Sequence, residues 1–169
     1  HEIRTPMNGV LGTVGLLLNT PLTAAQRELA SLARASGETL LTIINDILDF
    51  SKIEAGKLII SPIHFDLLQT VEEVGSMIAM QPTRRKDVNV IVRYPPDVPR
   101  YVFGDKGRIR QILTNLTNNA IKFTEKGHVL IDVETEELND YEVSLRISVE
   151  DSGLGIATGK LENLFDKFT

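Results

Sequence analysis

The sequence predicts an α-helical hairpin over residues 1–58, followed by an α+β sandwich over residues 62–169. Three observations lead to this division. Apolar residues in the first half recur at helical spacing, two later segments alternate apolar with polar residues, and proline-containing segments separate the elements. Because helices and strands have different periodicities, the change of pattern indicates a change of domain.

The composition excludes several classes of protein. With 42% hydrophobic residues in 169, the chain can bury a core, and its net charge of −5 argues against a nucleic-acid partner. The absence of cysteine excludes disulfides and thiolate metal sites. No apolar run reaches the roughly 20 residues that span a bilayer. We therefore expect this stretch to be cytoplasmic and without a membrane segment, which leaves open an anchor in the cell membrane elsewhere in a parent protein.

The first two helices carry apolar stripes whose spacings alternate between four and three. The stripe of the first helix consists of Ile3, Met7, Val10, Val14 and Leu17. The stripe of the second consists of Leu29, Ala33, Ser36, Leu40, Ile43, Ile47 and Phe50. Asn19-Thr20-Pro21 ends the first helix, and Thr23 with Gln26 forms a capping-box pattern for the second. One hairpin cannot bury such stripes alone, so we predict a homodimeric four-helix bundle.

The second half mixes helices and strands. We expect a short strand at "IHF" after Pro62, a helix from Asp66 to about Met80, a strand from Val88 to Val92, and a helix opened by Asp105. "HVLIDVETEE" and "YEVSLRISVE" both alternate, and Leu138-Asn139-Asp140 separates them, which predicts a β-hairpin. Together these elements predict helices on one face of a mixed sheet.

The helix after Asp105 carries a row of polar side chains. Asn115, Asn119 and Lys122 are spaced four and three, so they share one face. The apolar residues expected on another face are Ile112, Leu113, Leu116 and Ala120. Because a carboxamide oxygen is a hard ligand and an ammonium group offsets phosphate charge, the row suits a magnesium-bound polyphosphate. The alternative is an ordinary solvated face.

The segment "DSGLGI" is a second candidate for ligand binding. Gly153 and Gly155 allow the backbone to approach a ligand closely, and Asp151 can accept a hydrogen bond from an amine. An ordinary glycine turn is the alternative. The spacing matches neither the phosphate loop of P-loop proteins nor the glycine loop of protein kinases. A nucleotide site built on it would therefore belong to another fold.

Four segments, in order along the chain, resemble the motifs of two-component sensor histidine kinases of the hybrid type. "HEIRTPMNGVLG" resembles their phosphoacceptor box, and "GDKGRIRQILTNLTNNAIKFTEKG" resembles their N box. "VEDSGLGI" resembles their G1 box, and "LFDKFT" resembles their F box. In that family an ATP lid and a second glycine box follow the F box. The chain is therefore expected to be a catalytic core truncated before both, with a partial ATP-binding domain at 62–169 of the gyrase, Hsp90 and histidine kinase type.

The resemblance implies ATP and Mg²⁺ as cofactors and a role for each matching residue. His1 would be the phosphorylated residue, Glu2 its general base, and Thr5 the position that holds a hydrolytic water in the phosphatase reaction. Asn119 would bind the magnesium ion, Lys122 would contact phosphate, and Asn115 would lie in the nucleotide site where related ATPases place a catalytic acid. The G1 residues Asp151, Gly153 and Gly155 would hold the nucleotide, with Asp151 accepting from the adenine amino group.

The implied activity is autophosphorylation of His1 followed by phosphorelay to an aspartate of a response-regulator receiver domain, which in hybrid kinases lies in the same parent chain. Two alternatives stay open for a truncated chain. One is an ATPase of the gyrase or Hsp90 kind, against which the His1 box argues. The other is a non-catalytic scaffold for dimerisation or phosphotransfer, against which the intact Asn119, Lys122 and Asp151 argue.

Overall fold

The structure, a computed structural model, describes residues 2–80, 87–139, 141–156 and 159. The chain divides into two compact units, residues 1–59 and 60–169. His1, Asp140 and the predicted F-box segment 164–169 lie outside the described residues. Within the described ranges, every helix is too short or insufficiently apolar to cross a bilayer.

The first unit is a hairpin of two helices, α1 (Arg4–Leu18) and α2 (Ala24–Glu54). The predicted capping box is confirmed: the Gln26 amide donates to Thr23 Oγ1 at 3.2 Å, and the Thr23 amide donates to Gln26 Oε1 at 3.0 Å. These two bonds satisfy donors that a helix N-terminus otherwise leaves open. α1 ends at the predicted place, with Asn19 as its C-cap.

Only some residues of the predicted apolar stripes are sheltered within the hairpin, and the others remain exposed. The buried or half-buried residues of α1 and α2 are Met7, Leu11, Val14, Gly15, Leu18, Ala30, Gly37, Leu41, Ile44, Asn45, Asp49 and Phe50. A Cβ atom at Gly37 would lie 2.8 Å from Leu11 Cδ2, so the absence of a side chain at Gly37 makes room for Leu11 of α1. Seven residues of the predicted stripes remain 44–67% exposed: Ile3, Val10, Leu17, Leu29, Leu40, Ile43 and Ile47.

The second unit contains two helices and two sheets. Its elements are β1 (Ile63–Asp66), α3 (Leu67–Ala79), β2 (Val88–Arg93), β3 (Tyr101–Gly104), α4 (Lys106–Phe123), β4 (Gly127–Leu138) and β5 (Val143–Asp151). The main sheet has the order β2-β4-β5, with β2 parallel and β5 antiparallel to β4. The predicted mixed sheet and hairpin are confirmed. A second sheet, in which β1 pairs with β3, was not predicted.

The core of this unit lies between one face of the main sheet and α3 and α4. Its buried residues are Phe65, Leu67, Val71, Val74, Ile78, Val98, Leu113, Ile131 and Val133. Gly75 allows α3 to pack closely on β2, because a Cβ there would lie 2.9 Å from Val92 Cγ2. The apolar residues predicted for another face of α4 are not all buried. Leu113 and Ala120 are buried, whereas Ile112 and Leu116 are 58% and 46% exposed, since they lie to one side of the face that meets the sheet.

Both helices of the second unit begin at aspartates that accept hydrogen bonds from the first turn. Asp66 accepts from the Gln69 amide at 2.9 Å, and the hydrogen-bonded Arg100 guanidinium holds the pKa of Asp66 below its usual range. Asp105 accepts from the amides of Ser61 at 2.9 Å and Arg108 at 3.0 Å, and these two bonds lower its pKa. Both carboxylates therefore stay ionised where they cap the helices.

Candidate functional site

The polar row of α4 faces away from the core. The buried residues of this helix are Leu113, Thr117 and Ala120, followed by its C-cap Thr124. The hydroxyls of Thr117 and Thr124 donate to the carbonyls of Leu113 and Ala120, at 2.7 and 2.8 Å, so burying them leaves no open donor. The predicted polar residues Asn115, Asn119 and Lys122 are all exposed. The same packing that buries one face of α4 thus presents three polar groups on another.

Lys122 lies in the last turn of α4, where its positive charge is favourable because the helix dipole is negative at that end. Its Nζ atom is 5.2 Å from the centre of the Phe123 ring. Asn119 lies about one helical turn before Phe123, roughly 6 Å along the axis, and Asn115 lies about 12 Å before it. The three predicted residues therefore form a line that leads to the C-terminal end of α4.

Asp151 ends β5 and starts a tight turn. Its Oδ1 atom accepts from the Gly153 amide at 2.9 Å, which fixes the carboxylate relative to the turn and leaves Oδ2 to accept from a ligand. A Cβ at Gly153 would lie 2.4 Å from the carbonyl oxygen of Phe123, so only glycine fits there. Gly155 has a φ of +67°, which favours glycine, and it is exposed.

The turn after β5 is joined to the end of α4. The Leu154 amide donates to the Phe123 carbonyl at 3.4 Å, next to the close approach of Gly153. The structure therefore brings Asp151 to the end of the helix that carries Asn119 and Lys122, although some thirty residues separate the two motifs in sequence. One polar wall and one backbone turn border the same end of α4, an arrangement suited to a ligand with a phosphate part and a part bearing an amine.

Two residues at this turn, Ser152 and Gly127, were not predicted from the sequence. The hydroxyl of Ser152 accepts from the His128 amide at 2.9 Å, and the Ser152 amide donates to the His128 carbonyl at 3.1 Å. Gly127 begins β4 beside this hydroxyl with a φ of +117°. The available signals were a serine between the aspartate and glycine of "DSG" and a glycine directly before a strand.

Glu2 and Thr5 lie in the first unit. Glu2 is exposed in the turn before α1, and Thr5 is exposed in the first turn of α1. Next to Thr5, the guanidinium of Arg4 donates to Asn45 Oδ1 at 2.7 Å, which joins the start of α1 to α2. His1, the predicted phosphoacceptor, lies outside the described residues.

The described part of the chain contains no group of three or more histidine, aspartate and glutamate side chains that could hold a metal ion. His64 instead packs its ring against Phe103, with ring centres 4.9 Å apart, and His128 is exposed. A magnesium ion at Asn119 would thus take most of its ligands from a bound phosphate chain and water. Magnesium commonly binds in this way, so the exposed amide is compatible with it.

Comparison with known proteins identifies the family. Residues 1–56 match the His Kinase A (phospho-acceptor) domain, and residues 104–169 match the family of histidine kinase-, DNA gyrase B-, and HSP90-like ATPases. The chain is 42% identical to hybrid signal transduction histidine kinase A of Dictyostelium discoideum over 175 residues, covering 100% of this chain and 8% of that protein. The chain belongs to the histidine kinases.

Two further relatives of this histidine kinase core agree with that assignment. It is 44% identical over 168 residues to the signal transduction histidine-protein kinase BarA of Escherichia coli K12, covering 99% of this chain and 18% of BarA. The structure of full-length ShkA in complex with AMPPNP matches with a TM-score of 0.72 and 37% identity, covering 95% of this chain and 33% of that chain. The chain thus spans less than a fifth of the curated relatives described and a third of ShkA.

Proposed function

We propose that this histidine kinase core uses ATP to phosphorylate His1 and passes the phosphoryl group to an aspartate of a receiver domain. An imidazole nitrogen of His1 attacks the γ-phosphorus of ATP, the bond to the β,γ-bridging oxygen breaks, and ADP leaves. Glu2 takes the proton that the imidazole loses. An aspartate carboxylate of the receiver domain then attacks the phosphorus, the phosphorus–nitrogen bond breaks, and the imidazole of His1 regains a proton. The receiver would lie in the same parent chain, as the hybrid family implies.

The proposal divides the work between two domains. Residues 1–58 would form the dimerisation and phosphotransfer hairpin, and residues 62–169 would form part of an ATP-binding domain. The exposed residues Leu40, Ile43 and Ile47 of α2 support the dimer, because apolar surface on a two-helix unit is stabilised when a second copy covers it. Thr5 would position a water for dephosphorylation of the receiver. A chain that uses ATP would work in the cytoplasm, and its lack of cysteine is compatible with a reducing compartment.

The single observation that carries the nucleotide part is the junction between the Asp151 turn and the end of α4. Asp151 Oδ2 would accept from the adenine amino group, and Gly153 and Gly155 would leave space for the nucleotide. Lys122 would offset phosphate charge, and Asn115 would contact the nucleotide and orient the reacting phosphate. Asn119 would hold Mg²⁺, which when bound neutralises the triphosphate.

Labelling with [γ-³²P]ATP and Mg²⁺ tests the proposal on the chain and on the full-length gene product. We expect label that is lost in acid and kept in alkali, which is the behaviour of a phosphohistidine, and we expect none in His1→Gln. The matched control is His64→Gln, which removes the imidazole packed on Phe103 and should label like the wild type. Asn119→Ala and Asp151→Ala should each reduce labelling at least about 100-fold.

Three results would count against the proposal. Label that survives acid would indicate serine or threonine phosphorylation. Release of phosphate from ATP without labelled protein would favour an ATPase of the gyrase or Hsp90 kind. A full-length protein that forms the dimer but neither binds ATP nor transfers its phosphoryl group would favour a scaffold.

A further inference from the structure

The turn that carries Asp151 is held by a serine clamp, defined here as Ser152 with its partners in the segment 126–128. The Ser152 hydroxyl accepts from the His128 amide at 2.9 Å and lies 3.3 Å from the Lys126 carbonyl oxygen and 3.2 Å from the His128 carbonyl oxygen. The Ser152 amide donates to the His128 carbonyl at 3.1 Å. One side chain thus bonds the backbone on both sides of Gly127.

Gly127 lies against this hydroxyl, which leaves no space for a side chain at position 127. A Cβ atom at Gly127 would lie 2.1 Å from Ser152 Oγ and 3.2 Å from Ser152 Cβ, so the serine occupies the place that a side chain would take. The φ of +117° at Gly127 also favours glycine. Ser152 and Gly127 are therefore complementary in shape, and hydrogen bonds join Ser152 to the two neighbours of Gly127.

The clamp fixes one side of the Asp151 turn, and α4 fixes the other. Gly153 rests against the Phe123 carbonyl, and Leu154 donates to it at 3.4 Å. Asp151 itself is exposed, and apart from its bond to the Gly153 amide it relies on the backbone around it for its orientation. Without the Ser152 hydroxyl, the turn keeps its contact with α4 but loses its side-chain bond to the start of β4.

We propose that Ser152 is a positioning residue for base recognition: its hydroxyl sets the direction in which Asp151 Oδ2 meets the amino group of adenine. The inference rests on the proposed ATP site, and it adds that specificity for adenine over a base without that amino group depends on Ser152 acting through Asp151. Inosine nucleotides carry a carbonyl in place of the amino group, so they offer no donor at that position and should gain less from an ordered Asp151.

Affinities for ADP and IDP, measured by calorimetry with Mg²⁺ on the full chain, test the inference. We expect Ser152→Ala to weaken ADP binding about tenfold and IDP binding less than about threefold, so the ADP/IDP ratio falls. Ser152→Thr retains the hydroxyl and should restore the ratio. The matched control is Ser148→Ala in β5, at a half-buried site that pairs with Asp132 of β4, and it should leave both affinities unchanged.

A second readout needs no nucleotide. In Ser152→Ala the amides of His128 and Gly153 should exchange with solvent several-fold faster, while the midpoint of thermal unfolding changes by less than about 2 °C. Equal losses of ADP and IDP affinity, or unchanged exchange, would overturn the positioning role. If wild type and Ser152→Ala bind ADP equally while Asp151→Ala does not bind, the serine inference fails and the proposed function stands. If the wild-type full-length protein binds no ADP, the proposed function fails instead.

Discussion

The two units of this kinase core bury their apolar residues in opposite ways. In the first unit, Ala30 and Gly37 are the buried residues among those described, and larger apolar side chains stay on the surface. In the second unit, whole branched side chains such as Leu67, Val71 and Ile78 are at most 1% exposed. The second unit therefore has a core of its own. Because helices in proteins gain most of their stability from packing of an apolar face, the hairpin is expected to become much more stable when another surface covers its apolar side.

The largest effect is expected from a change to the exposed side of α2, which should weaken the dimer. Ile43→Lys with Ile47→Lys alters four side chains in a dimer, and each residue is about half exposed in the single chain. We expect the dimer dissociation constant to rise more than about 100-fold, because each buried apolar side chain contributes on the order of 1.5–3 kcal/mol when fully covered. Analytical ultracentrifugation measures the change.

The control for that variant is Ser31→Lys, at an exposed position of α2 on a different side of the helix. It should dimerise like the wild type, and in both variants the second unit should keep its unfolding transition. A monomeric wild type at all accessible concentrations would refute the dimer.

A smaller but concentration-independent effect is expected in the second unit. Ile78 is 0% exposed, so Ile78→Ala should lower the free energy of unfolding by about 2–5 kcal/mol through lost contacts and a cavity. Ile91→Ala, at a 45% exposed position on the other sheet face, should cost less than about 1 kcal/mol. Urea unfolding at two protein concentrations checks both. An equal loss in the free energy of unfolding for the two variants would show that Ile78 does not lie in the core.

The capping box of the hairpin should contribute less than a core residue. Thr23→Ala removes the Oγ1 acceptor of the Gln26 amide and should cost about 0.5–2 kcal/mol of helix stability. Thr39→Ala is the control, because Thr39 lies inside α2 and donates to the Ala35 carbonyl. Alanine favours the helix interior, so this control should be neutral or slightly stabilising. Far-ultraviolet circular dichroism during thermal unfolding measures both variants.

The smallest effect at neutral pH is expected for Asp132→Asn. Asp132 is 2% exposed, yet it lies on the sheet face away from the helices, where the hydrogen-bonded Arg93 guanidinium lowers its pKa. A lowered pKa contributes stability above the unfolded-state value of about 3.9, and this stability is lost as pH falls through the lower folded-state value. The difference in the free energy of unfolding between the wild type and Asp132→Asn should therefore be constant from pH 7 to about 5 and become smaller below about pH 4. A difference that grows on acidification would contradict this sign.

Much of the fold could be predicted because its signals are local. Thr23, Asp66 and Asp105 each bond a backbone amide three residues later, so the sequence alone indicates where these helices begin. The alternation in β4 and β5 likewise predicts their faces. β3 was missed because "YVFG" is only four residues long and exists by pairing with β1, which lies about 38 residues earlier. The bulge between Thr135 and Glu137 was missed for the same reason, since it is a property of two strands in register.

The candidate site follows the same division. The row on α4 was predictable from spacing, and the glycines of the G1 box from their residue type. Ser152 was not predictable, because a serine between two motif residues has no spacing of its own and gains its role only from the backbone of Gly127 and His128.

The sequence by itself determined the order of helices and strands, the helix caps, and the residues that form the polar row, because these depend on groups within one or two turns of each other. Only the tertiary structure decided which apolar residues are covered and which polar groups meet. Leu11 and Leu18 face α2 while Ile3 and Leu17 stay exposed, although all four are apolar. The junction of Asp151 with α4 likewise depends on close packing at Gly153, which a one-dimensional pattern does not contain.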